Sequence, residues 1–225
     1  GITTSDPDLF PAARPVAALS RAELDAIACF NPDIPTAAAL TPALERSTPI
    51  MLRSLRQPEG PGTVLREQSA PAGTLRCLLT ADRVRVITAG GPAVNASRAL
   101  AALAAQGIRA LIAPDVDGIA LIISSREVNL ARLTLEDAFG AGGAVCRTLD
   151  DTGVVPVIAL GPDICNQPDA AERVRHALRA AGVAVERAGP ALIGSETACG
   201  VVVLVHADAR AAALAALHPL VDAAL

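Results

Sequence analysis

The side chains best suited to metal binding or nucleophilic chemistry are scattered along this sequence. Its five cysteines are odd in number and include no C-x-x-C pair. The nearest cysteine–histidine pairs, Cys165 with His176 and Cys199 with His206, lack the spacing of a zinc site. The pattern predicts reduced cytoplasmic thiols that are buried as small apolar side chains, with no disulfide framework and no metal.

Lysine is absent, and all 19 basic residues are arginine. This chain alone therefore has no side chain for a Schiff base, a Walker-type phosphate loop or a lysine clamp on a transferred phosphoryl group. The net charge of −4 and the aromatic content of 1% argue against nucleic-acid binding, because basic surface and stacking side chains are both scarce. We expect no nucleic-acid partner.

Hydrophobic residues make up 52% of the chain and charged residues 19%, which excludes a disordered polymer. No apolar run reaches the roughly 18 residues of a spanning helix, and no signal sequence opens the chain. These features predict a globular cytoplasmic protein with no membrane partner. Because Gly1 is not an initiator methionine, we expect a processed, cloned or truncated start.

The first 66 residues are rich in turns and alternate short helices with short strands. Ser20 and Glu23 have the spacing of a capping box, which predicts a helix to about Cys29. The other predicted elements are a helix over 36–46, a strand over 49–53 and an edge strand over 63–65. Such alternation is typical of an α/β domain. We expect residues 1–66 to be the C-terminal part of such a domain, followed by a linker at 67–73.

From residue 74 onward, the same order of elements occurs twice. The first copy is predicted as strands at 83–87, 108–113 and 119–123 and helices at 95–106 and 129–139. The second is predicted as strands at 154–160, 183–187 and 201–205 and helices at 169–181 and 208–220. A unit of about 70 residues has the size of a ferredoxin-like βαββαβ module. The sequence therefore predicts an α/β (α+β) chain with modules at 74–150 and 151–225, whose sheets lie side by side.

Five short motifs occur in a characteristic order along the chain. They are Gly-Ile-Thr-Thr-Ser-Asp-Pro at 1–7, the capped helix ending at 29–30, Thr-Pro-Ile-Met-Leu-Arg-Ser at 48–54, Gly-Thr-Val-Leu at 62–65 and Ser-Glu-Thr at 195–197. In this order they resemble the aspartokinase family. The first four are similar to the C-terminal end of its amino-acid-kinase domain, including the nucleotide loop and the helix before its Phe-Gly-Ala-Lys motif. The two repeats resemble its paired ACT regulatory domains.

The resemblance implies degenerate nucleotide-binding positions at Thr3, Asp6, Asp8 and Asp33. The family has an aromatic at the position of Thr3, arginine at that of Asp8 and lysine at that of Asp33. At an effective dielectric near 20, each cation-to-anion change about 4 Å from a phosphate turns roughly 4 kcal/mol of attraction into similar repulsion. We therefore assign no catalytic residue and no cofactor to this chain. ATP and Mg²⁺ are expected only if an intact kinase half lies upstream.

The resemblance also implies an effector site for a small amino acid, lysine or threonine, where ACT modules pair. Its predicted residues are Gly91, Asn95, Ala96, Val185, Glu186, Ser195 and Glu196. The ammonium group of the ligand needs a carboxylate, which favours Glu186 or Glu196. We expect the ligand carboxylate on backbone N–H groups of the loop at 89–96 or at 161–169, because both loops open helices.

Three functional interpretations follow from the resemblance. The first is an amino-acid-sensing regulatory portion of an aspartokinase-like protein of the aspartate-family amino-acid pathway. The second is a non-catalytic pseudokinase scaffold. The third is a fragment of an active aspartate kinase, which uses ATP to phosphorylate L-aspartate to 4-phospho-L-aspartate; Asp8 and Asp33 count against it. The expected partner is a second copy, in a homodimer through ACT modules, or an aspartokinase-type catalytic subunit.

Overall fold

The structure is a computed structural model that describes most of the chain. It does not describe residues 32–33, 36, 68–69, 82–83, 92–93, 116–117, 141–144, 149–152, 194–196 and 223–225. The predicted site residues Asp33, Ser195 and Glu196 lie outside the described residues. In the part that is described, no helix has the length and apolar character needed to cross a membrane.

The N-terminal segment is a small α/β unit. Its elements are strands β1 (Ala18–Leu19), β2 (Met51–Leu52) and β3 (Thr63–Leu65) and helices α1 (Arg21–Phe30) and α2 (Ala37–Glu45). Strand β3 lies in the middle, parallel to β1 and antiparallel to β2. The prediction that 63–65 is an edge strand is therefore wrong, because the two-residue strand β1 pairs with its other side.

The capping box at the start of α1 is confirmed. The backbone N–H of Glu23 donates to Ser20 Oγ at 3.3 Å, and the N–H of Ser20 donates to Glu23 Oε2 at 2.6 Å. These reciprocal bonds satisfy two donors at the helix end. The helix then buries Ala26 and Ile27 against the larger sheet.

The two repeats form one continuous sheet of eight strands within the described residues. The strands are β4 (Cys77–Thr80), β5 (Val84–Gly90), β6 (Ala110–Asp115), β7 (Gly118–Ser124), β8 (Val145–Thr148), β9 (Val154–Leu160), β10 (Val185–Ile193) and β11 (Thr197–His206). Their order across the sheet is β4-β9-β11-β10-β6-β7-β5-β8, and every neighbouring pair is antiparallel. The repeats meet where β10 pairs with β6, so their sheets lie side by side as predicted.

The outer strand of the second repeat comes from a distant part of the chain. The first repeat supplies its own four strands, in the order β6-β7-β5-β8. The second has the same order, β10-β11-β9, and is completed by β4, whose Cys77 pairs with Leu160 and whose Thr80 pairs with Val157. The predicted range 74–150 for the first module thus includes strand β4, which pairs with the strands of the second repeat.

The sheet has helices on one face and the N-terminal segment on the other. Helices α3 (Ala96–Ala105), α4 (Val128–Phe139), α5 (Ala170–Ala180) and α6 (Arg210–Leu217) cover the first face. As predicted, Leu100, Leu103, Val174 and Leu178 are among the helix residues buried there. Alternate strand residues from both repeats, such as Leu111 and Val202, pack with Ala26 and Ile27 on the opposite face. The sheet is therefore buried on both sides.

Candidate functional site

The nucleotide-like loop, defined as Thr3–Phe10, is stiffened by its own hydrogen bonds. Thr3 Oγ1 donates to the carbonyl oxygen of Ser5 at 2.7 Å, and the N–H of Asp8 donates to Asp6 Oδ1 at 2.9 Å. Asp6 and Asp8 are both exposed, while Thr3 is half-buried. The Asp6 carboxylate therefore closes a local turn, and no hydrogen bond between described residues recruits it to a catalytic group.

A cleft of about 320 Å³ lies between the nucleotide-like loop, the end of α1 and strand β4. Its lining mixes apolar residues, such as Ile2, Ile27 and Leu78, with polar ones. Asp6 lines it as well, and none of the described lining side chains is basic. Bound polyphosphates are held by preorganised cations. The described lining of this cleft has no basic side chain to hold a polyphosphate.

Strand β4 holds the nucleotide-like loop through a backbone hydrogen bond. The N–H of Leu78 donates to the carbonyl oxygen of Thr4 at 2.8 Å, on the edge of β4 that faces away from β9. The N–H of Thr4 donates in turn to Arg14 O at 2.7 Å. The loop thus extends the hydrogen-bonded array of the second repeat by one further segment.

The strand-to-helix loop of the first repeat ends at a capped helix. Gly91 follows β5 with φ 141°, a conformation that favours glycine. Asn95 is exposed and caps α3, because its Oδ1 accepts the N–H of Arg98 at 3.1 Å. Ala96 is the first residue of the helix. The first amides of a helix lack partners within the helix and lie at the positive end of its dipole, which suits a carboxylate.

The corresponding loop of the second repeat, 161–169, is covered by the chain segment that leads into β4. The N–H of Gly73 donates to Pro162 O at 2.7 Å, and a Cβ at Gly161 would clash with the carbonyl oxygen of Thr74. Ile164 within the loop is fully buried. We call residues Gly73–Arg76 the strap. Of the two loops predicted to bind the ligand carboxylate, the second is covered by the strap at its start, while Asn166, Pro168 and Asp169 before α5 are exposed.

The described titratable residues include no further reactive centre. Burial raises the pKa of the Cys29 thiol to about 11, so the thiol stays protonated near neutral pH. Within the described residues, no three His, Cys, Asp or Glu side chains cluster in a way that could hold a metal ion.

Comparisons with solved structures agree on one fold for this chain. No family model matches the sequence. The aspartate kinase of Clostridium acetobutylicum is similar with a TM-score of 0.67 and 18% identity, over 98% of this chain and 52% of that one. Aspartokinase III of E. coli in complex with aspartate and ADP is similar at 0.66 and 19%, over 98% and 50%. The same enzyme in complex with lysine and aspartate is similar at 0.67 and 17%, over 97% and 49%.

This chain has the fold of part of an aspartate kinase. The resemblance predicted from the motifs, and with it the predicted fold class, is therefore confirmed at the level of the fold. The chain spans about half the length of these structures.

Within this aspartate kinase fold, the two halves of the predicted effector site are separated. Val185 begins β10 and is half-buried, and Glu186 next to it is exposed. Gly91 and Asn95 follow β5, which is three strands away in the order β10-β6-β7-β5. Three strand spacings amount to about 14 Å. Glu186 and the α3 N-terminus are therefore not neighbours within one chain.

Two structural features of this chain were not predicted from the motifs. One is the strap together with β4, which connects the second repeat to the nucleotide-like loop. The other is the C-terminal turn, where His218 and Asp222 contact that same loop and its flank. Both depend on contacts between residues far apart in sequence, which local patterns do not reveal.

Proposed function

We propose that this chain is the amino-acid-sensing regulatory portion of an aspartokinase-like protein. One observation carries the proposal. Strand β4 belongs to the sheet shared by both ACT-type repeats, and it also holds the nucleotide-like loop through the bond from Leu78 N to Thr4 O. A ligand that moves the repeats is thereby linked to that loop by backbone hydrogen bonds.

We infer an amino acid as the ligand from the charges and amides at the ends of the strands. The E. coli aspartokinase III structure with lysine and aspartate is one relative in fold. In this chain, the exposed carboxylate of Glu186 would pair with the ligand ammonium group. The N-terminal amides of α3, next to Gly91, Asn95 and Ala96, would bind the ligand carboxylate. Ser195 and Glu196 remain candidates for the same role.

The separation between the two half-sites favours a dimer. Because Glu186 and α3 lie three strands apart in one chain, a site that uses both requires a second copy. We propose a homodimer through the ACT-type repeats, with an interface on the order of 1,000 Å² or more. An aspartokinase-type catalytic subunit is the other partner that the fold would suit.

We further propose that this chain alone does not phosphorylate aspartate. The described lining of its cleft has the carboxylate of Asp6 and no basic side chain, and Asp8 lies nearby in sequence. Phosphoryl transfer needs cations placed around the transferred group. ATP and Mg²⁺ binding would require an intact upstream kinase half, as would a place in the aspartate-family pathway as an active enzyme.

A non-catalytic scaffold is the second candidate function, and one observation favours it. The strap covers the start of the strand-to-helix loop of the second repeat, so part of this loop packs within the chain. If neither loop binds amino acids, assembly is the role that remains.

Calorimetry and thermal unfolding with lysine, threonine and methionine test the sensing function. We expect one amino acid to bind and to raise the melting temperature; at a hundredfold excess over Kd the stabilisation is about 2.7 kcal/mol. Glu186→Gln should weaken binding at least tenfold, whereas the matched exposed variant Glu59→Gln should not change it. Sedimentation of the same samples should show dimers. A lack of binding by all three amino acids would remove the sensing claim and leave the scaffold.

A further inference from the structure

The C-terminal turn, residues His218–Asp222, packs on the nucleotide-like loop. His218 Nε2 lies 3.0 Å from Thr4 Oγ1, although the two residues are 214 positions apart. The rings of His218 and Phe10 are 4.5 Å apart between centroids. Thr4 is only 4% exposed, and Phe10 packs against the same apolar cluster as Val221. The turn and the loop therefore share one buried contact.

Asp222 ties the end of the turn to two arginines. Its Oδ1 lies 2.6 Å from Arg76 Nη1 and its Oδ2 lies 3.3 Å from Arg14 Nη2. Its N–H donates to Leu75 O at 2.7 Å. Asp222 has φ 69°, a left-handed conformation that is disfavoured for aspartate. The ion pairs and the backbone bond hold the turn in a conformation that it would not favour alone.

The hydrogen bonds around Thr4 favour a neutral imidazole. Thr4 Oγ1 already accepts the N–H of Arg14 at 2.9 Å. Its own hydrogen is then free to be donated to His218 Nε2, which acts as the acceptor when the ring carries its hydrogen on Nδ1. Protonation of Nε2 would place a second donor against the hydroxyl and force that hydrogen to find another acceptor.

The charges around the ring act in the same direction. Burial lowers the pKa of His218 below its ordinary value of 6.5, and the positive charge of Arg14 lowers it further, while Asp222 opposes both. Arg76, on the strap, pairs with Asp222 and engages the carboxylate that would otherwise favour the charged ring. Because the pKa is lower in the folded state, the contact is complete above pH 6.5. It is lost as the pH falls from there through the folded-state pKa.

We propose that the turn His218–Asp222 is a latch that holds the nucleotide-like loop while the His218 imidazole is neutral and releases it when the imidazole is protonated. The closed latch fixes Thr4 and Phe10 on the second repeat. When the latch opens, the loop keeps its backbone bond to Leu78 but loses the contacts of Thr4 and Phe10 with the turn. The device acts without an amino-acid ligand, so it stands or falls independently of the sensing function.

Nuclear magnetic resonance of the three histidines tests the latch in the whole chain. We expect His218 to be the Nδ1–H tautomer at pH 7.5 and to titrate below its ordinary value of 6.5. The amide protection of Thr4 and Val16, corrected for intrinsic exchange, should fall at least tenfold with the same midpoint. A His218 that titrates at 6.5 or above, or loop protection that does not follow its titration, would overturn the proposal.

Two variants and a control sharpen the result. His218→Gln keeps a polar group near Thr4 but cannot titrate, so loop protection should no longer depend on pH. His176→Gln, on the exposed side of α5, should leave the dependence unchanged. Asp222→Asn removes both ion pairs that hold the turn, so loop protection should already be reduced at pH 7.5. A persisting pH dependence in His218→Gln, or unchanged loop protection at pH 7.5 in Asp222→Asn, would contradict the latch.

Discussion

The two repeats share one order of strands but differ in how their strand-to-helix loops are packed. The first repeat supplies all four of its strands, and its loop ends at the exposed cap Asn95. The second takes its outer strand from β4, and the strap that leads into β4 covers the start of its loop. One of the two corresponding loops is thus packed against a segment from a distant part of the chain. We infer that the first repeat binds the amino acid and that the second repeat transmits the effect of binding to the nucleotide-like loop.

The largest expected effects test whether the repeats form one cooperative unit. Leu103 on α3 and Leu178 on α5 are both 0% exposed, so Leu103→Ala and Leu178→Ala should each cost about 3 kcal/mol. Because the repeats share one sheet, both variants should shift a single urea transition followed by circular dichroism. Leu130→Ala on α4, where the side chain is 48% exposed, should change stability little. Two transitions, each sensitive to one variant, would show independent repeats.

A smaller effect tests the closure of the second loop. Gly161→Ala should cost about 2 kcal/mol, because the new Cβ would displace the strap at the Thr74 carbonyl. Gly182→Ala is the control, since Gly182 has φ 72° and no atom within 4 Å of an added Cβ. Its cost should be about 1 kcal/mol, from backbone conformation alone. Equal losses in chemical denaturation would mean that the strap does not press on the loop.

The ion pair between the strap and the C-terminal turn should contribute less to the free energy of unfolding than the packing at Gly161. Arg76 is 15% exposed and Asp222 is 49% exposed in their side chains, so Arg76→Gln should cost about 1.5 kcal/mol, near the low end for a charged hydrogen bond. Arg179→Gln removes a pair with Glu172 in which both side chains are well exposed, and it should cost almost nothing. Denaturation of both variants side by side gives the comparison, and a negligible loss in Arg76→Gln would contradict a stabilising role for the strap's ion pair.

The smallest effect separates the two helix starts. Asn95→Ala should cost about 1 kcal/mol because a side-chain cap is lost, and Asn95→Ser should restore most of it. Asp169, at the equivalent place before α5, makes no side-chain cap bond, so Asp169→Ala should cost only about 0.3 kcal/mol through the helix dipole. Thermal unfolding resolves the difference; equal costs would contradict the distinction between the two loops.

Local patterns predicted the elements whose residues alternate between two environments. Strand β5, where buried Val84 and Val86 flank half-buried Arg85, and the helix capped by Ser20 are examples. Strand β4 was not predicted because it is buried on both faces. Cys77 packs with the N-terminal segment and Leu78 with the helices, so polar and apolar residues do not alternate along it. Strand β1 has only two residues and pairs with a strand more than forty positions away, as Ala18 meets Val64.

The candidate site was predictable only in part, for the same physical reason. The loop residues Gly91 and Asn95 and the exposed Glu186 lie at strand ends, as the order of elements implied. The second loop, 161–169, was predicted as an alternative site for the ligand carboxylate, and nothing in its own sequence signals the strap. The ion pair of Arg76 with Asp222 joins residues 146 positions apart. It depends on the position of β4 beside the second repeat, which no sequence motif indicates.

The most direct test asks whether β4 transmits the effect of ligand binding to the nucleotide-like loop. It measures hydrogen exchange over the whole chain at pH 7.5, with and without a saturating amino acid. With the amino acid bound, we expect slower exchange near Asn95 and near Glu186. We also expect slower exchange at Leu78 and Thr4, where β4 holds the nucleotide-like loop. Protection confined to the first-repeat loop, with Leu78 and Thr4 unchanged, would contradict that transmission.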